Sequence, residues 1–170
     1  MTSLNQRGFT LTELIVALAV LGMILGGVYT LQQQGLYSYM MGSAKVEAQQ
    51  NARVALDLMI RELRSATSVT ATAAGDLTFV DQNGVTLRYN LNGTALQRTE
   101  NGVVSILIGG VQSLALTYRD SNGAVTGAPA NVANIMIAIT TQPQAANPCA
   151  ASALNQKMIV QDQVRLRNML

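Results

Sequence analysis

"NQRGFTLTELIVALAVLGMILGGVYTL", Asn5 to Leu31, is the stretch on which the fold turns. From Leu14 to Leu31 it carries no charge, and only Tyr29 and Thr30 are polar. Eighteen such residues meet the length expected of a transmembrane helix. With Phe9 to Glu13 added, a helix here would run roughly 35 Å, the depth of a bilayer core. Glu13 stands inside this segment. A carboxylate in hydrocarbon costs roughly 2.5–3.5 kcal/mol on insertion scales, so Glu13 should have a partner or a task.

Two other readings of the segment fit less well. A secretory signal peptide has a shorter apolar region followed by a small-residue cleavage site, whereas here "YTLQQQGLYSYMMG" follows. A helix buried in a soluble core shows a polar stripe at the surface, and this one is apolar all round. Arg7 is the only charged side chain before the span. With the terminal amine it predicts a cytoplasmic N-terminus and places everything after Leu31 outside the cytoplasm.

The totals agree with a membrane-tethered protein of one modest domain. The chain has 170 residues, 49% apolar and 12% charged, against about 25% charged in soluble domains. A net charge of +2 provides no field to hold a nucleic acid. There is no histidine, so no Ser-His-Asp or Cys-His arrangement is available. Cys149 is the single cysteine, which excludes an internal disulfide and a Cys-rich metal site. It follows Pro148 in a stretch with nothing to activate a thiol. Neither a metal nor a cofactor is expected.

No proline occurs before Pro129, and the helical pattern continues beyond the span. Ala52, Leu56, Met59, Leu63 and Ala66 recur at three- and four-residue steps and share one face. Arg53, Asp57, Arg61 and Arg64 share another, with spacings that allow weak surface ion pairs. A helix from Phe9 to about Ala66 is predicted, roughly 85 Å long. Beyond "SATSVTATAAG" the period changes to alternation broken by Asn-Gly turns. Strands are predicted near 77–81, 85–91, 94–99, 111–119, 132–141 and 157–168. "QPQAANPCAASALNQ", Gln142 to Gln156, is predicted to be a polar loop. "DQNG" at Asp81 and "DSNG" at Asp120 resemble fragments of calcium loops but lack further acidic ligands, and turn chemistry accounts for both. The expected fold is α+β. A long N-terminal helix, membrane-spanning in its first half and amphipathic in its second, packs on an antiparallel β-meander sheet.

"RGFTLTELIVAL" resembles the processing motif of type IV pilins and pseudopilins. The resemblance implies a leader, Met1 to Gly8, cut after Gly8 by a prepilin peptidase. The new N-terminus would be Phe9, N-methylated, with Glu13 as the fifth mature residue. In that family the glutamate is thought to meet the terminal amine of a neighbouring subunit and recruit it to the filament. An opposite charge there compensates a carboxylate in apolar surroundings. The plainer alternative is that Glu13 sits near a helix N-terminus, where negative charge is favoured, and snorkels to the interface. Gly22 and Gly26 form a G-x-x-x-G spacing that suits close helix packing.

"QNARVALDLMIRELRSA" and the terminal "VRLRN" are similar to PilW-type minor pilins and to the J-type minor pseudopilins of type II secretion. The organisation implied is leader 1–8, filament-core helix 9–31, amphipathic continuation 32–66 and periplasmic β domain 67–170. The partners implied are major and minor pilin subunits, the peptidase and the inner-membrane assembly platform. The location implied is the inner membrane, then the pilus. The function expected is that of a minor pilin, a structural subunit. Its alternatives are a pseudopilin of a type II secretion or competence system and a membrane-anchored periplasmic binding module. Catalysis is not expected.

Overall fold

The computed structural model describes residues 8–142 and 157–167. Helix α1 spans Leu11–Leu63. It divides between two units, one up to Met40 and one from Met41 onward. In the first unit the side chains of the apolar span are exposed along their whole length. The helix holds a window of mean hydropathy 2.4 with none of it buried, long and apolar enough to cross a membrane.

In the second unit α1 buries Ala52, Ala55, Leu56, Met59, Ile60 and Leu63. This is the apolar face expected from the spacing, widened by Ala55 and Ile60. Arg53, Asp57, Arg61 and Arg64 are exposed on the other side. Among the described residues no ion pair joins them, as the small contribution of exposed pairs allows. The helix ends three residues short of the expected Ala66. Ser65 donates its amide (3.0 Å) and its hydroxyl (2.7 Å) to the Glu62 carbonyl, capping the last turn. A run of threonines and alanines with Val69 then takes over in extended form, as its β-branched residues favour. Ala66 is buried as predicted, but on a strand.

Among the described residues eight strands follow, and they form two sheets rather than the single meander expected. β1 (Ala66–Ala73), β2 (Asp76–Asp81), β3 (Thr86–Asn92), β4 (Ala95–Glu100) and β5 (Val103–Ile108) form an antiparallel meander. β6 (Val111–Arg119), β7 (Asn134–Thr141) and β8 (Met158–Arg165) form a second antiparallel sheet. A 3-10 turn, Pro129–Asn131, interrupts the β6–β7 connection. The sheets part at Gly109-Gly110. Gly110 has φ 73°, and β6 departs from β5 instead of pairing with it. β6 crosses the turn end of the first sheet, where Leu116 N–H donates to Ala74 O (2.8 Å) and Val111 N–H to Thr94 O (3.0 Å).

One apolar core joins α1 to both sheets. Phe79 and Tyr89, fully buried on β2 and β3, stack with ring centroids 6.2 Å apart. Ile135, Ile137 and Ile139 supply the inward face of β7, and Val164 and Leu166 do so near the C-terminal end. Arg165 and Arg167 point outward, as the alternation in "VRLRN" predicts.

Two strands went unpredicted. β1 is built from alanines and threonines, and two register irregularities spoil its alternation. β5 lies at a sheet edge and follows the Asn101-Gly102 turn, an Asn-Gly signal that sequence reading passed over. Both turn residues have positive φ, 48° and 87°, as a two-residue type I′ hairpin requires. Gly102→Ala meets no steric obstacle but puts a Cβ on left-handed backbone. It is expected to lower stability by about 1–2 kcal/mol, read as a shift of the denaturant midpoint.

Candidate functional site at the N-terminal helix

Gly8 and Phe9 precede α1 without regular structure and are exposed, Phe9 at 87%. Arg7 and the rest of the expected leader lie outside the described residues. The helix start is a reciprocal cap. Thr10 Oγ1 accepts from the Glu13 amide (3.3 Å), and Glu13 Oε2 accepts from the Thr10 amide and hydroxyl (3.3 Å each). Thr12 Oγ1 lies 3.1 Å from the Thr10 hydroxyl. Leu14 N–H bonds to Thr10 O at 3.2 Å, closing the first turn.

This is a capping box, and its Thr-x-x-Glu spacing was legible in "TLTE". Sequence reading singled out Glu13 and passed over Thr10. The first amides of a helix have no partner within it, and in hydrocarbon such groups cost several kcal/mol each. Glu13 therefore has a task within its own chain: it satisfies Thr10 at the helix start. Gly22 and Gly26 lie in α1 with open space where a Cβ would be. Among the described residues nothing packs against these positions to demand glycine there.

A second polar constellation was missed altogether. Glu62, in the last turn of α1, receives the Tyr89 hydroxyl from β3 and a fork from Arg98 on β4. Arg98 Nε lies 3.1 Å from both carboxylate oxygens, and Nη2 lies 2.9 Å from Oε1. Arg98 Nη1 reaches Glu100 at 2.6 Å. Burial foremost, then the Glu62 carboxylate, pushes the Tyr89 phenol well above its ordinary range. Glu62 holds the Arg98 guanidinium more firmly protonated than usual. Each group is satisfied by the others, so the cluster pins helix to sheet. A 3.6-residue pattern marked Glu62 only as one more polar helix residue, and its partners lie 27 and 36 residues away.

The calcium-like fragments are turns of one design. Asp81 Oδ1 accepts the Asn83 and Val85 amides (2.8 Å each), and Asp120 Oδ1 those of Asn122 and Ala124 (2.9 Å each). Gly84 and Gly123 take φ 77° and 85°. The Val85 amide foremost, with Asn83, holds the Asp81 carboxyl below its ordinary value. The predicted polar loop lies mostly, and Cys149 wholly, outside the described residues.

Residues 3–29 match the prokaryotic N-terminal methylation motif. No curated protein matches the chain. The match covers the N-terminal segment alone, and a motif of this kind is the one that type IV pilins and pseudopilins carry. The fold, a long N-terminal helix packed against antiparallel sheets, is pilin-like. The matched segment runs into the helix that is long and apolar enough to cross a membrane.

Proposed function

We propose that the chain, as a type IV pilin or pseudopilin, serves as a minor pilin, one that primes filament assembly or enters the filament as a structural subunit. The observation that carries this is the order of Gly8, Phe9 and Glu13 directly before an uncharged helical span. In this reading residues 1–8 are a leader removed after Gly8, and Phe9 becomes the methylated N-terminus. Residues 9–31 hold the subunit in the inner membrane and later pack in the filament core, with Gly22 and Gly26 at a helix contact. The β domain lies in the periplasm, since Arg7 and the terminal amine keep the N-terminus cytoplasmic.

Glu13 sets register by meeting the Phe9 amine of a neighbouring subunit. The assembly platform and the other major and minor subunits are the partners. The minor, PilW-type assignment rests on "QNARVALDLMIRELRSA" and "VRLRN". The same processing motif serves the pseudopilins of type II secretion and competence systems, which are the alternative within the family. A membrane-anchored periplasmic binding module would keep its leader.

Mass spectrometry of the N-terminal peptide from native membranes tests the reading. The expected peptide begins at N-methylated Phe9. A chain still beginning at Met1 or Thr2, in cells with an active prepilin peptidase, would sink the pilin reading in favour of the binding module.

A further inference from the structure

We propose that β5 is a docking edge for the β5 strand of a second copy of this chain, the two strands running antiparallel about a two-fold axis at Ser105. β5 ends the first sheet, and Val103, Val104 and Ile106 are 71%, 56% and 67% exposed. Alternate residues of a strand face opposite sides, so apolar groups stand exposed on both faces of this edge. The other free edges differ. β8 exposes one large apolar residue, Ile159 at 66%, but sets beside it exposed Gln161, Asp162, Gln163 and Arg165, polar and charged groups of the kind that discourage pairing. β1 lies beside the β6–β7 connection, with Thr72 Oγ1 donating to Gly127 O at 2.9 Å.

The free hydrogen-bonding groups of β5 specify the register. Glu100 and Val103 close the two-residue hairpin and exchange both bonds. By the alternation of an antiparallel ladder, Ser105 bonds back to Arg98. The N–H and C=O groups of Val104 and Ile106 therefore face away from β4. They are symmetric about Ser105. A copy related by a two-fold axis there satisfies all of them, with Val104 of one chain opposite Ile106 of the other. The two Ser105 residues then form a non-hydrogen-bonded pair, with Cα atoms about 4.5 Å apart.

Charge permits the second copy. Val103–Ile108 carries no charged residue, so self-pairing opposes no like charges, and the residues that meet are uncharged, Val104 and Ile106 flanking the facing Ser105 pair. Leu107 is an extra residue relative to β4, a bulge that confines regular pairing to the first part of the strand. The pair is closed. It covers the apolar edge of both copies and leaves no strand edge there for continued growth. The proposal does not depend on the pilin assignment.

Disulfide trapping tests it, because the separation at Ser105 falls within disulfide range. In the full chain carrying Cys149→Ser, solubilised in detergent micelles and mildly oxidised, Ser105→Cys is expected to yield a covalent dimer. Val103→Cys would lie four residues out of step with its counterpart, and is expected to cross-link about tenfold less. Val104→Pro removes an outward N–H and no bond to β4, as an edge strand tolerates. Added to Ser105→Cys it is expected to abolish the dimer, and Val104→Lys to do the same without altering the backbone. A monomeric Ser105→Cys chain, equal yields at positions 103 and 105, or a dimer insensitive to both Val104 changes would overturn the proposal. So would a cross-link from Ser105→Cys in native membranes to a different protein alone, which would assign the edge to a foreign strand. N-terminal processing reads out separately from all of these.

Discussion

Glu13→Ala is expected to leave the subunit in the membrane and all but exclude it from filaments. Two roles converge on this carboxylate. Within the chain it caps α1 through Thr10. Between chains, in the proposed function, it meets a terminal amine. Removing one partner of an ion pair in apolar surroundings costs about 3–5 kcal/mol, which is more than a hundredfold in the equilibrium between free and incorporated subunit. Losing a cap costs about 1 kcal/mol.

Glutamine separates the two roles, because it serves in a capping box as glutamate does but carries no charge. Glu13→Gln is therefore expected to behave like Glu13→Ala in co-assembly. Thr10→Ala, which removes the cap and keeps the charge, is expected to have the smaller effect. The measurement is the ratio of the variant in sheared filaments to that in membranes. Incorporation of Glu13→Gln at the wild-type level would show that the carboxylate acts only as a helix cap.

Glu62→Ala is expected to be among the most destabilising single changes in the β-bearing unit. Glu62 and Arg98 side chains are each 18% exposed, so the substitution strands a largely buried guanidinium and takes the acceptor from the Tyr89 hydroxyl. Arg98 keeps Glu100 at 2.6 Å, which brings the cost below the roughly 3–5 kcal/mol of a fully broken buried pair, to about 2–3 kcal/mol. For a unit of this size that corresponds to a fall of roughly 10 °C in Tm. Near-ultraviolet dichroism of the tyrosines in the full chain would follow it. The double variant Glu62→Met with Arg98→Met removes both charges and is expected to recover most of the loss, since apolar groups of similar volume replace buried ion pairs at little cost. A Tm for Glu62→Ala within about 2 °C of wild type would mean that the cluster is as weak as a surface pair.

Local signals were sufficient at the N-terminal end. The uncharged run after Glu13 announces an apolar helix, and the Gly8-Phe9 step with its spacing to Glu13 lies within the N-terminal methylation motif matched over residues 3–29; each is a property of adjacent residues. The Thr-x-x-Glu cap belongs to the same class and was legible, though passed over. The buried stripe from Ala52 to Leu63 followed from a period of 3.6, and the outward Arg165 and Arg167 from a period of 2.

The sequence could not by itself place the end of α1. Ala66 keeps the helical spacing yet is buried equally well on a strand, so burial alone does not distinguish the two. Nor could it announce β1, whose alanines and threonines pack in irregular register. The division into two sheets was also beyond it, since Gly109-Gly110 permits a hairpin or a departure with equal ease. Contacts across the fold decided these points, such as Leu116 with Ala74 and Val111 with Thr94. The Glu62–Tyr89–Arg98 cluster likewise exists only once helix and sheet meet. Short-range chemistry is written in neighbouring residues, whereas the partners of a buried charge are chosen by the packing that brings distant strands together.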